Sequence, residues 1–214
     1  MSGTPSKIAL AVIAPLLLVC FGAQEASAIK IYERDGWNTG ISLGFGRGRF
    51  VNADGVNTAL QNGAAPQWRV NKMLSPHISL GFEYQGWMLE GDDDPSNDVD
   101  EKLRRSIQQW SLAVTWYPGN QENAWNGLYL KAGGGFGLAG TALVEIEDGH
   151  QVDPNNREDE WGTGFLFGTG YDFWIIPNAT VGAGTTINYY SIGETFVDEA
   201  WVWVPLQMNI SLFF

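Results

Sequence analysis

Basic residues, cysteine and long apolar runs are all scarce in this 214-residue chain, and each scarcity excludes something. Lys and Arg number 12 against 24 Asp and Glu, for a net charge of −12. A nucleic-acid partner is excluded on that ground, because a phosphate backbone is held by a basic surface. The single cysteine, Cys20, falls in a segment expected to be removed, which leaves the remainder without disulfide or thiolate chemistry. After residue 28 no stretch approaches the ~18 consecutive apolar residues that mark a membrane-spanning helix.

The first residues read as an export signal. Lys7 supplies the positive end, Ile8 to Phe21 is the apolar run, and Ala26-Ser27-Ala28 is the small-residue cleavage site. The apolar run is short for a helical anchor of ~20 residues. Cys20 follows Leu17-Leu18-Val19 instead of a small residue, which argues against a lipid-anchored cysteine. The expectation is a cleaved signal peptide over residues 1–28 and one domain from Ile29 to Phe214.

Glycine and aromatics are abundant, with 27 Gly, 10 Trp, 7 Tyr and 11 Phe, and they are arranged with a period of two. Along the last thirteen residues every even position is apolar, namely Val202, Val204, Leu206, Met208, Ile210, Leu212 and Phe214. Gln207, Asn209 and Ser211 hold the middle of the other side. Successive side chains of a strand point to opposite faces, so this is a strand with one apolar and one polar face. Seven more segments repeat the pattern. The clearest are Trp37, Thr39, Ile41, Leu43, Phe45 against Gly and Ser, Ile78 to Tyr84 against Ser79, Gly81, Glu83, and Trp110 to Trp116 against Gln109, Ser111, Ala113. A shorter one centres on Trp68 and Val70. The connections alternate: 51–65, 90–104 and 144–160 read as long loops, while 74–77 and 174–178 read as tight turns around Pro76 and Pro177. The stretches near 118–126 and 192–200 are intermediate.

The fold class expected is all-β: an eight-stranded antiparallel transmembrane up-and-down β-barrel with short turns and both termini at the periplasmic end. A soluble lipocalin-like barrel is the rival. It would set the polar face in water, yet that face is Gly, Ser, Thr, Asn and Gln, almost free of the Lys and Glu that keep soluble surfaces apart. Its small residues suit the inside of a narrow barrel. The ten tryptophans, Trp87 among them, are expected near strand ends as an interfacial girdle.

The stretch Asp35-Gly-Trp-Asn-Thr-Gly-Ile-Ser-Leu-Gly-Phe45 resembles the opening strand of OmpA-like barrels, and Asn209-Ile-Ser-Leu-Phe-Phe214 resembles the C-terminal assembly signal of such chains. The resemblance implies a monomeric barrel in the outer membrane of a Gram-negative bacterium with a structural and surface role. It also implies recognition by the barrel-assembly machinery through Phe214. A peptidoglycan-binding domain is not carried over, since the chain ends at the eighth strand. The lead-in Asp198-Glu-Ala-Trp-Val-Trp-Val204 is similar to OmpW-like barrels, which implies the alternative of a small passive channel for ions or apolar solutes.

Four charges fall on polar faces: Arg69, Glu83, Lys131 and Asp172. Arg69 and Glu83 flank the 74–77 turn symmetrically and are expected opposite each other, with Lys131 and Asp172 likewise across the third long loop, 144–160. Buried charges are costly unless paired, so two ion pairs are expected, either as a plug or as a gate that opens by exchanging partners. Glu83→Ala should then alter conductance or thermal stability. Arg47 and Arg49 continue the apolar face of the first strand towards the long loops, where lipopolysaccharide phosphates would lie; a solvated strand end is the plainer reading.

The remaining chemistry-bearing residues point to no activity. The acidic stretches Asp92 to Glu101 and Glu145 to Glu160 lack the spacing of a helix-loop-helix calcium site and read as solvated loops. His77 and Ser79 are weighed as a lipid A-modifying pair, but both sit beside a turn at the wrong end. His150 is alone in its loop. Gly133-Gly-Gly135 and Gly182-x-Gly184 lie within strands, not ahead of a helix, so they are packing positions and not phosphate loops. No enzyme activity, cofactor or metal is expected.

Overall fold

The computed structural model describes residues 34–51, 60–90, 101–119, 124–147, 150–152, 157–192 and 199–214. The expected signal segment with Cys20 and the acidic run from Asp92 to Asp100 lie outside the described residues, as do the side chains of Glu145 to Glu158 and of His150. The strands are β1 (Trp37–Val51), β2 (Gln61–Ser75), β3 (Ile78–Glu90), β4 (Glu101–Trp116), β5 (Leu128–Glu147), β6 (His150–Val152), β7 (Arg157–Ile176), β8 (Ala179–Ser191) and β9 (Glu199–Phe213). A 3-10 turn, Ala124–Gly127, precedes β5. Among the described residues no helix is long and apolar enough to cross a membrane, a statement that does not bear on strands.

All pairings are antiparallel, and β1 pairs with both β2 and β9 while β4 pairs with β5. The sheet therefore closes into an eight-stranded barrel, with β6 a short hairpin arm on β5. Closure pairs each of the eight barrel strands on both sides, which is what a bilayer requires of a spanning sheet. At the turn end the seam is completed by reciprocal backbone bonds, Trp37 N to Phe214 O at 2.7 Å and Phe214 N to Trp37 O at 2.9 Å. Gly36, immediately before, takes a φ of 70°, and a Cβ there would stand 2.4 Å from the Phe214 carbonyl oxygen. Only glycine enters that conformation without strain and leaves room for the chain end.

The apolar faces point outward. Ile41, Phe45, Leu112, Phe136, Phe167 and Ile210 are all exposed, forming a belt far larger than a soluble monomer tolerates. Strand β1 sets the height of this belt. It carries Trp37, Thr39, Ile41, Leu43, Phe45 and then Arg47 along its outer side. Ten residues at ~3.3 Å, tilted by about 40°, span roughly 25 Å, the height of the apolar band of an outer-membrane barrel. Lys72 holds its ammonium 5.2 Å from the Trp37 ring at one margin. At the other, Trp201 and Trp203 of β9 lie beside Arg49 and Arg47.

Several expectations need correction. Strand β2 begins at Gln61, so the first loop is shorter than 51–65; Gly63, Ala64, Ala65 and Pro66 show no alternation in sequence and are strand because β1 pairs with them. Residues 144–160 are mostly strand as well, an extension of β5 and β7 carrying the β6 arm. The even positions of β9 do not share one face. Leu206 to Phe214 point outward at even numbers, but Val202 and Val204 are buried inside, and Trp201 and Trp203 face out. A bulge at Val204–Pro205–Leu206 shifts the register against both β1 and β8. Proline donates no ladder bond and is accommodated at such bulges.

Candidate functional site

The inward residues of the eight strands stack in three layers, and these constitute the candidate site. The layer nearest the long loops is apolar: Phe50, Ala65, Trp87, Ile107, Ala139, Tyr190, Ile192, Ala200, Val202 and Val204. Trp87 is its centre, with no exposed surface. Its indole N–H donates to the Gly46 carbonyl at 3.2 Å, and its ring packs 5.7 Å from that of Phe50. A Cβ at Gly46, Gly48 or Gly63 would come within 2.9, 2.6 and 2.8 Å of Trp87. Three glycines on the adjoining strands β1 and β2 thus form a recess for the indole. The expectation that Trp87 joins the outer girdle is overturned: it shares the odd-numbered inward face of β3 with Glu83 and Gln85.

The middle layer is polar and holds all four predicted charges, each almost wholly buried. Arg69 and Glu83 are cross-strand partners in register, as the turn arithmetic implies. The ion pairs, however, are exchanged. Lys131 Nζ meets Glu83 Oε2 at 2.8 Å and Arg69 Nη2 lies 3.6 Å from Asp172 Oδ2. Lys131 is not opposite Asp172, because its register partner on β7 is Gly168. The physical reason is curvature: inward side chains of a narrow barrel converge, so a long side chain reaches over glycine to a non-adjacent strand. The Lys131 stem rests against Gly168 of β7, where a Cβ would stand 2.8 Å from Lys131 Cε, and its ammonium reaches past β4 to Glu83.

Amides knit this layer together. Gln67 donates to Glu83 and accepts from Gln207, and Gln207 accepts from Thr186 Oγ1 at 2.9 Å. Arg69 Nη2 donates to Ser211 Oγ at 2.7 Å, and Gln109 Nε2 to Ser111 Oγ at 2.7 Å. Glu83 Oε1, Gln109 Oε1 and both amide atoms of Gln85 have no protein partner among the described residues.

The third layer, at the turn end, is aromatic: Met73, Tyr117, Tyr129 and Phe213, with Trp174 packed against them. The Tyr117 and Tyr129 rings meet edge to face at 6.2 Å. Arg34, just ahead of β1, is inserted beneath them, its guanidinium 4.1 Å from the centre of the Tyr117 ring and its Nη1 donating to Asn126 Oδ1 at 2.5 Å. Burial holds this guanidinium below its ordinary pKa, opposed by Tyr117 and Asp172. The lumen is therefore not lined by small residues alone. Parity along each strand places Trp87, Gln85, Tyr117 and Tyr129 inside, and the glycines opposite them are the signal by which the fillers are found.

Outside this column the other predicted residues stand apart. Arg47 and Arg49 face outward and are exposed, with Arg47 Nε donating to Asn62 Oδ1 at 3.1 Å. His77 Nδ1 lies 3.0 Å from the Tyr117 carbonyl oxygen, and Ser79 is buried in the lumen at the turn end; they do not form a nucleophile–base pair.

Neither a family model nor a curated protein sequence matches the chain. Solved structures do. The attachment invasion locus protein Ail of Yersinia pestis, in complex with the heparin analogue sucrose octasulfate, is 13% identical over 83% of this chain and 99% of that one, with a TM-score of 0.52. The same protein without that molecule gives 0.50 at the same identity and coverage. The Neisserial surface protein NspA is 15% identical over 84% of this chain and 98% of its own, with a TM-score of 0.48. At such identity the likeness to Ail is one of architecture, and this chain has the fold of a small outer-membrane β-barrel.

Proposed function

We propose that this protein is an integral barrel of the bacterial outer membrane with a structural and surface role, a closed lumen and both barrel termini in the periplasm. The observation that carries the reading is the lumen itself, filled at three successive levels by Trp87, by the Lys131–Glu83 and Arg69–Asp172 pairs, and by Tyr117 with Tyr129. Under this reading the four charges are a plug that rigidifies the wall. The outward apolar belt and the paired seam at Phe214 support membrane insertion. A signal peptide cleaved after Ala28, a monomeric state and docking of the Phe214 end by the barrel-assembly machinery complete the proposal. Planar-bilayer recording tests it: no reproducible opening is expected, whereas steady unitary conductance would favour the rival OmpW-type passive channel, with the four charges as its gate.

At the upper margin the proposed partner is the phosphate of lipopolysaccharide. Arg47 and Arg49 stand on one face of β1 with Trp203 and Trp201 as their cross-strand neighbours, a pairing of guanidinium and interfacial aromatic suited to phosphorylated headgroups. Replacing both arginines by Gln should reduce lipopolysaccharide co-purified with the barrel, while the fold, read by unboiled gel migration, is unchanged. Equal retention would discard this partner.

A further inference from the structure

The polar middle layer is enclosed between two layers of different chemistry. Above it, Trp87 is held by a recess of three glycines and packed on Ile107, Tyr190 and Val204. Below it, Tyr117, Tyr129 and Met73 are backed by Arg34. Between the two, Gln85 and Gln109 face each other on β3 and β4. Gln85 is 2% exposed, yet neither of its amide atoms has a protein partner among the described residues, and Glu83 Oε1 and Gln109 Oε1 are in the same condition. Buried amide and carboxylate groups are ordinarily satisfied, by protein or by internal water. An apolar layer excludes water, whereas this one offers several converging donors and acceptors.

The geometry points to a double-sealed polar chamber, a site for small hydrogen-bonding molecules, water first among them, centred on Gln85, Gln109 and Glu83. Trp87 is the outer seal and the Tyr117–Tyr129 pair the inner one. The inference deepens the closed-lumen reading, on which it rests. Each seal alone suffices to stop passage, because an ion or polar solute cannot cross a dry aromatic layer without losing its hydration. Opening one seal admits a molecule to the chamber; opening both leaves only the ion pairs of the middle layer, which water then reaches and can part, between the two sides.

Two measurements on the folded protein separate these states. Gln85→Cys places one thiol in the chamber, the sole cysteine after residue 28, and a small cationic methanethiosulfonate is applied to the barrel in detergent micelles. Labelling should be slow in the otherwise unchanged chain. It should rise by about tenfold or more with either Trp87→Ala or the Tyr117→Ala/Tyr129→Ala pair, since access follows the population of the open seal. In planar bilayers each seal variant alone should stay closed, and the combined variant should conduct. Should Trp87→Ala fail to fold, Ile107→Ala with Val204→Ala thins the same seal, and Trp87→Phe serves as the conservative control that keeps labelling slow. Rapid labelling of Gln85→Cys in the unchanged chain would overturn the chamber, as would labelling indifferent to both seals. Conduction by Trp87→Ala alone overturns the second seal while leaving the closed wild-type lumen intact; conduction by the wild type overturns the closed lumen itself.

Discussion

Lys131 and Glu83 meet at 2.8 Å across the lumen although β5 and β3 are not neighbours in the sheet. The pair reaches past β4 to tie two strands that share no ladder, and both side chains are almost fully buried. Removing one partner leaves the other charge buried without its counter-ion. Glu83→Ala is therefore expected to cost about 3–5 kcal/mol, and Lys131→Met a similar amount. The double variant Glu83→Met/Lys131→Met should lose less than the two added, with a coupling of about 0.5–3 kcal/mol. Urea unfolding in micelles measures all three, and strict additivity would show that the pair is not an energetic unit.

Trp87 and Gly48 define a second constraint, one of volume. A Cβ at Gly48 would lie 2.6 Å from the Trp87 ring, and a buried indole bonded to Gly46 has little freedom to retreat. Gly48→Ala should destabilise the barrel by about 1–3 kcal/mol through overpacking. Combining it with Trp87→Phe should recover part of that loss. Unfolding midpoints of the single and double variants check this, and no recovery would mean the strain lies elsewhere.

At the seam, Gly36 allows the chain to turn under Phe214. Gly36→Ala forces a side chain into a left-handed conformation, about 1–2 kcal/mol by itself, and sets its Cβ 2.4 Å from the Phe214 carbonyl oxygen. Slower conversion to the compact, unboiled gel form on refolding is the expected result. Refolding at the parental rate would show that the Trp37–Phe214 bonds form without this turn.

Pro205 supplies the extra residue of the β9 bulge. Deleting it restores a simple alternation that leaves Val202 and Val204 inside and the segment from Leu206 onward on its present faces, because Pro205 and Leu206 are two successive outward residues. A heat-modifiable barrel is therefore expected from the deletion as well as from Pro205→Ala, whereas deleting Leu112 from the unbroken alternation of β4 should prevent it. Failure of the Pro205 deletion to fold would show that this residue is not simply the surplus one of the bulge.

Strand existence and the outward face were legible in the residues because a half-lipid, half-lumen wall imposes a period of two that no other local structure shares. Ile41, Leu43 and Phe45, or Ile78, Leu80 and Phe82, face out as that period requires. Strand β2 was only partly visible, since Gly63 to Pro66 alternate in nothing and take their conformation from β1. In β9 the period misled, because a bulge leaves composition unchanged while reversing the faces. The four buried charges were identifiable from their rarity on the polar faces, yet their pairing was not.

The sequence by itself determined an eight-stranded wall with an apolar outside and an inside of small and polar residues. It also placed Arg69 opposite Glu83, for a two-residue turn fixes the register of its strands. Only the closed tertiary structure decided what the lumen contains. Contacts across a barrel join strands distant along the chain and depend on curvature, so nothing local announces that Lys131 will reach Glu83. Nor does anything local announce that Trp87 will settle into glycines of β1 and β2. Those cross-lumen contacts, set by a ring too narrow to leave its large side chains apart, are what turn a porin-like wall into a filled barrel.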